Sequence, residues 1–109
     1  MSNNVIIVPF TKFVPLISEI GNLFNEMIEI TQAAEHNKRT CDALLQRVNT
    51  ADLVAHELKL RKNQEFFNNK NYLCLQNLVN VMTQIKKFIT EISQMKTLFK
   101  YIQAKSINF

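Results

Sequence analysis

Three stretches of this chain place apolar residues at alternating spacings of three and four. The first is Phe13, Leu16, Ile20, Leu23, Met27, Ile30 and Ala34. The second is Cys41, Leu44, Val48, Ala51, Ala55 and Leu58, and the third is Leu75, Leu78, Met82, Ile85, Ile89 and Ile92. Each set falls along one side of an α-helix, and this rhythm is the seam of helices packed nearly parallel or antiparallel. No helix hides such a stripe alone, so the chain must fold on itself or on a partner. A single glycine (Gly21) and two prolines (Pro9, Pro15) leave little turn chemistry for hairpins or a phosphate-cradling loop. The fold class expected is therefore all-α.

At 109 residues the chain suits one domain, and 47% hydrophobic with 20% charged residues is a globular composition. Residues 1–10 read as a lead-in and 11–109 as a helical bundle domain. Thr11 is the expected N-cap of a first helix from about Lys12 to Ala34, with Pro15 tolerated near its start. Gly21 costs this helix roughly 1 kcal/mol relative to alanine, and a close helix crossing is one reason to keep it. A polar break at Glu35–Arg39 precedes a second helix ending near Gln64. The asparagine-rich stretch Asn68–Asn71 is the clearest loop, and one of its asparagines is expected to cap a third helix from about Asn71 to Gln94. A short fourth helix follows, from about Lys96 to Ala104. Short connections imply an up-down antiparallel arrangement of three long helices plus the short fourth.

The net charge of +4 is unevenly spread. Through Leu58 there are four basic and seven acidic residues; from Lys59 onward there are nine basic residues against Glu65 and Glu91. Part of the domain is thus electropositive, which suits anionic lipid headgroups or acidic protein segments and equally suits a plain solvated surface. Lys86 and Lys87 sit beside the third seam. Nucleic acid ranks lowest among partners, because no recognisable motif accompanies the charge.

Cys41 and Cys74 lie within helical apolar patterns and read as free thiols of a reducing compartment. His36 and His56 are too far apart to share a helical turn, so no metal site is expected. No cofactor is expected either. Without a nucleophile–base arrangement or a paired carboxylate, the chain reads as non-enzymatic, with no small-molecule substrate. The N-terminus shows no secretory signal, and the apolar run Val5–Ile20 is interrupted by Lys12, two prolines and Glu19. A cytoplasmic protein, peripheral at the membrane if it meets one, is the expectation.

Apolar residues off the seams are the candidate contact surface. Val81, Phe88 and Met95 recur every seven residues on the third helix, and Ile17, Phe24 and Ile28 widen the face of the first. These read either as a broad core face or as a surface awaiting another helix.

The run Asn37-Lys38-Arg39-Thr40-Cys41-Asp42-Ala43-Leu44-Leu45-Gln46-Arg47-Val48 resembles the entry to the second helix in the N-terminal bundle of mixed-lineage kinase domain-like proteins. The runs Ile85-Lys86-Lys87-Phe88 and Leu98-Phe99-Lys100-Tyr101-Ile102-Gln103-Ala104 are similar to the end of that family's third helix and the short aromatic helix after it. Fungal kinase-like signalling proteins carry comparable modules, and the Cbl N-terminal bundle has a related shape. The resemblance spans residues 11–107. It implies a four-helix bundle that engages phosphoinositide membranes in cell death or serves as a signalling adaptor coupled to a kinase or helical-repeat region. Lys38, Arg39 and Arg47 match the positions of the family's lipid contacts, while Lys86 and Lys87 are added from charge clustering. The family's last long helix would begin near Ser106, so this sequence stops short of it. A groove left by that helix would expose Val81, Phe88 and Phe99 and favour a protein partner or self-association. The alternative is an adaptor or oligomerisation domain with no lipid contact.

Overall fold

A computed structural model describes residues 5–61 and 65–95, apart from the side chain of Arg61. The described residues form three helices, α1 (Phe10–Gln32), α2 (Lys38–Arg61) and α3 (Asn69–Ile92), and no strand longer than an isolated bridge. The short fourth helix expected over 96–104 lies outside the described residues, as does Phe99.

α1 is the hub. It packs along both α2 and α3, which meet each other only lightly. The reason lies in its breadth of apolar surface. Phe13, Ile17, Ile20, Leu23, Met27 and Thr31 are buried, and Leu16, Phe24 and Ile30 pack against the same core. A single line of seam residues serves one neighbour; two adjacent lines serve two. This explains why Ile17 is buried more deeply than the seam residue Leu16. α2 needs only a narrow face, with Cys41, Val48 and Ala55 buried and Leu44, Ala51 and Leu58 half-buried between them. α3 buries Leu75, Met82, Ile89 and Ile92, with Leu78 and Ile85 half-buried.

The two ends of the core are closed by different chemistry. At the start of α1, Phe13 is fully buried among Phe66, Phe67 and Tyr72, with ring centroids 6.1, 4.7 and 5.3 Å away. Phe10 meets Phe67 edge-on at 5.0 Å. Such tilted and T-shaped contacts favour the aromatic quadrupoles and add to the area they bury. The lead-in takes part here: Val8 N–H donates to Phe67 O at 2.9 Å and Asn69 N–H donates to Ile6 O at 2.8 Å. Between these two bonds Ile7 opposes Asn68 in an antiparallel bridge.

At the other end, the α1–α2 turn caps α3. The amides of Glu35 and His36 both donate to Ser93 O, at 3.2 and 3.0 Å. Asn37 Nδ2 donates to Ile92 O and Met95 O, at 2.7 and 2.8 Å. Carbonyls of a last helical turn have no partners within their own helix, so a neighbouring turn here supplies them. To do this Asn37 adopts φ 58°, a left-handed conformation that asparagine tolerates better than most residues.

Local boundaries depart from the sequence reading at the first helix. It starts at Phe10 with Pro9 in the cap position and no side-chain cap, so Thr11 is the second helical residue rather than the N-cap. Proline has the fixed φ that suits a helix entrance, and Pro9 here has φ −56°. Pro15 consequently lies inside α1, where its missing amide forfeits a bond to Thr11; both residues are exposed. α3 is capped as its loop implies: Asn68 accepts from Asn71 N–H at 2.9 Å, while Asn71 Nδ2 donates to Phe66 O at 2.7 Å. Gly21 is not required by a close crossing, since a Cβ there would meet only Asp52 Oδ1, at an ordinary 3.8 Å.

Candidate contact surfaces

The basic residues singled out from sequence take three different settings. Lys38 and Arg39 open α2 and are exposed, adjacent to the Asn37 clamp on α3. Arg47 is also exposed, but nine residues at about 100° each carry it half a turn round the helix from Lys38. Lys86 reaches across to α1, where its Nζ lies 3.0 Å from Glu26 Oε1, and Lys87 beside it is exposed. Nothing in the described residues gathers these five side chains into one cluster. Acidic neighbours also offset them. Segments 29–42 and 86–95 hold Lys38, Arg39, Lys86 and Lys87 alongside Glu29, Glu35, Asp42 and Glu91.

The docking candidates separate too. Val81 is 41% exposed, whereas Phe88, one heptad later, is half-buried and packs against the core. A large ring on the border of the core gains by leaning inward.

Sequence reasoning passed over the larger apolar surface. Val5, Ile6, Ile7, Leu53, Val54, Leu60 and Leu73 are all between 48% and 76% exposed. Leu60 lies one residue from the end of α2 and Leu73 in the opening turns of α3. The bridge at Ile7 and the rings of Phe66, Phe67 and Tyr72 bring the lead-in and the opening of α3 together at the start of α1. The signal was readable in α2, because Leu53, Val54 and Leu60 are apolar residues that lie off its seam. Among the described side chains, residues 5–12 and 57–72 carry three basic ones (Lys12, Lys59, Lys70) and two acidic ones (Glu57, Glu65).

Between α1 and α2 lies a polar groove of about 320 Å³, lined in part by Ser18, Asn22, Asn25, Asp52, His56 and Lys59. His56 Nδ1 stands 3.0 Å from the Asp52 carbonyl oxygen and 3.5 Å from Asp52 Oδ2, one helical turn back. This is a local contact that tethers His56 over its own helix. Of the two thiols, Cys41 is buried and Cys74 exposed, and burial, assisted by the charge of Asp42, pushes the Cys41 thiol pKa up. A thiol in that state is a poor nucleophile. Among the described residues, no group of three metal-ligating side chains gathers, and no helix is long and apolar enough to cross a membrane.

No protein-family model, no curated protein and no solved structure matches this chain.

Proposed function

We propose that this chain is a non-enzymatic helical signalling module that acts by protein–protein contact, as its resemblance to mixed-lineage kinase domain-like bundles implies. In this reading the helices run up-down and antiparallel, with a short fourth helix after α3. The protein works in the cytoplasm, in cell signalling or cell death.

One observation carries the reading. The seam residues are consumed in the chain's own core, with Ile20, Met27 and Ile89 at 0% exposure and Met82 at 1%. Yet large apolar side chains, Val5, Ile6, Ile7, Leu60 and Leu73 among them, still stand in solvent. Isolated exposed apolar residues are ordinary, but a group of them marks contact.

A second reading adds peripheral engagement of anionic membrane through Lys38 and Arg39, with Arg47, Lys86 and Lys87. The exposure of Lys38, Arg39, Arg47 and Lys87 supports it, and the Lys86–Glu26 pair subtracts one charge from it. Co-sedimentation with phosphoinositide vesicles at two salt concentrations tests that reading. Binding that is sensitive to salt and lost on replacing Lys38 and Arg39 supports membrane engagement. A defined oligomer or partner complex without lipid binding supports the adaptor. Light scattering of the purified chain measures whether Val81 and its neighbours drive self-association.

A further inference from the structure

We infer that the polar groove between α1 and α2 is a binding site for a guanidinium group, with the Asp52 carboxylate as its anchor. The group comes from an arginine of a protein partner or from a free guanidino compound. In the first case the site rests on the protein-contact reading above and names its chemistry.

A glycine inside a helix costs stability relative to alanine, and the α1–α2 crossing does not require one at position 21. Gly21 lies in the wall of the groove, and a Cβ there would stand 3.8 Å from Asp52 Oδ1. The missing methyl keeps that carboxylate open to the groove. Asp52 itself has only 13% of its side chain exposed. Its nearest basic nitrogen, His56 Nδ1, is 3.5 Å from Oδ2, and the shorter contact of that nitrogen is to the Asp52 carbonyl oxygen at 3.0 Å. Among the described residues the carboxylate therefore has no donor at ordinary hydrogen-bond length. A carboxylate withdrawn this far from water calls for a cation that also donates hydrogen bonds.

The rest of the lining selects which cation. Ser18, Asn22 and Asn25 follow one another at spacings of four and three on one face of α1, and each offers a neutral oxygen. A guanidinium is planar and carries five donors, enough to bind both carboxylate oxygens with donors left for neutral oxygens beside them. It is also more weakly hydrated than an ammonium, so it gives up less on leaving water. Ile17, only 6% exposed, adds an apolar stretch of wall for the stem of such a group. Lys59 stands two turns along α2 from Asp52, about 10 Å along the axis, and opposes a second positive charge. A polyamine is thereby disfavoured. A divalent metal lacks ligands, because no three metal-ligating side chains gather among the described residues. The groove volume of about 320 Å³ suits one side chain or one small molecule.

The test is proton–nitrogen NMR of the full chain titrated with N-acetylarginine amide, read at the amides of Gly21, Asn22 and Asp52. Saturable shifts are expected there, smaller at high salt. Binding should be at least about tenfold weaker with N-acetylcitrulline amide, which keeps the shape and lacks the charge. Asp52→Asn should weaken binding by a similar factor with its helical circular dichroism unchanged. Should Asp52→Asn fold poorly, Gly21→Ala serves the same purpose: it should raise the melting temperature while weakening binding by about threefold or more. A parallel titration with methylguanidinium separates the sources. Tighter binding by the arginine derivative assigns the group to a protein partner, and equal or tighter binding by methylguanidinium assigns it to a free compound. Absence of saturable shifts, equal binding of the citrulline derivative, or full binding by both variants overturns the groove as a guanidinium site. Protein contact through another surface then stands or falls on light scattering alone.

Discussion

The two ends of this bundle solve the same problem with different chemistry. Where α1 ends and α2 begins, polar backbone groups do the sealing: Glu35, His36 and Asn37 satisfy the last carbonyls of α3, and the surrounding charges balance. Where α1 begins, five aromatic rings seal the core and a short bridge holds the lead-in, with exposed apolar and basic residues around it. A capped end presents a finished surface. An end closed by side-chain packing keeps Val5, Ile6 and Ile7 of its lead-in exposed.

The sharpest way to break this comparison is at Phe13. Phe13→Ala removes a ring with 0% exposure from contact with three others and should cost roughly 3–5 kcal/mol in urea unfolding. A cost below that of any capped-end substitution would mean that the rings do not hold their end. Asn37→Ala comes next, because it forfeits two hydrogen bonds and leaves alanine at φ 58°. About 2–3 kcal/mol is expected, and Asn37→Gly should recover the part that is backbone strain. If glycine and alanine destabilise equally, the conformation at residue 37 is not strained.

A third substitution should stabilise. Thr31 is 2% exposed and its hydroxyl has no partner among the described residues. Replacing it with valine keeps the shape and removes a buried, unsatisfied oxygen, so Thr31→Val should add about 1 kcal/mol. Gly21→Ala, midway between the ends, should add up to about 1 kcal/mol through helix propensity, since its Cβ meets only one side-chain oxygen at contact distance. A loss of stability there would mean that α1 and α2 approach more closely than the 3.8 Å separation allows. The smallest effect concerns pH. Burial raises the Cys41 thiol above its ordinary pKa of 9.0, so the folded state holds that proton more tightly than the unfolded chain. Its contribution is complete below pH 9 and falls as pH rises toward the folded-state pKa. Cys41→Ala should flatten that decline in thermal melts, and Cys74→Ala should leave it unchanged.

The second and third seams were legible almost residue by residue, because each serves one neighbour and alternates deeply with shallowly buried positions. The first was legible as a helix but not as the hub. Ile17 and Phe24 were visible as a widening of its face, yet a similar widening at Val81 on α3 stays exposed. Local spacing records how much apolar surface a helix has, not which helix stands between the others. The clamp by Asn37 was hidden because its partners lie 55 and 58 residues away. The N-cap reading of Thr11 failed for a local reason: Pro9 has the backbone angle of a helix entrance without needing a side-chain cap. The basic residues were identifiable by type, but their pairing with Glu26 and their dispersal round α2 depend on helix rotation, which charge counting does not register.

Residue-resolved amide hydrogen exchange of the intact chain tests most directly whether α1 is the hub. The slowest exchange is predicted in α1 between Ile20 and Met27, flanked on both sides, with α3 from Met82 to Ile89 next and α2 fastest. Exchange in α1 as fast as in α2, or no protection in any seam, would contradict a bundle organised around its first helix.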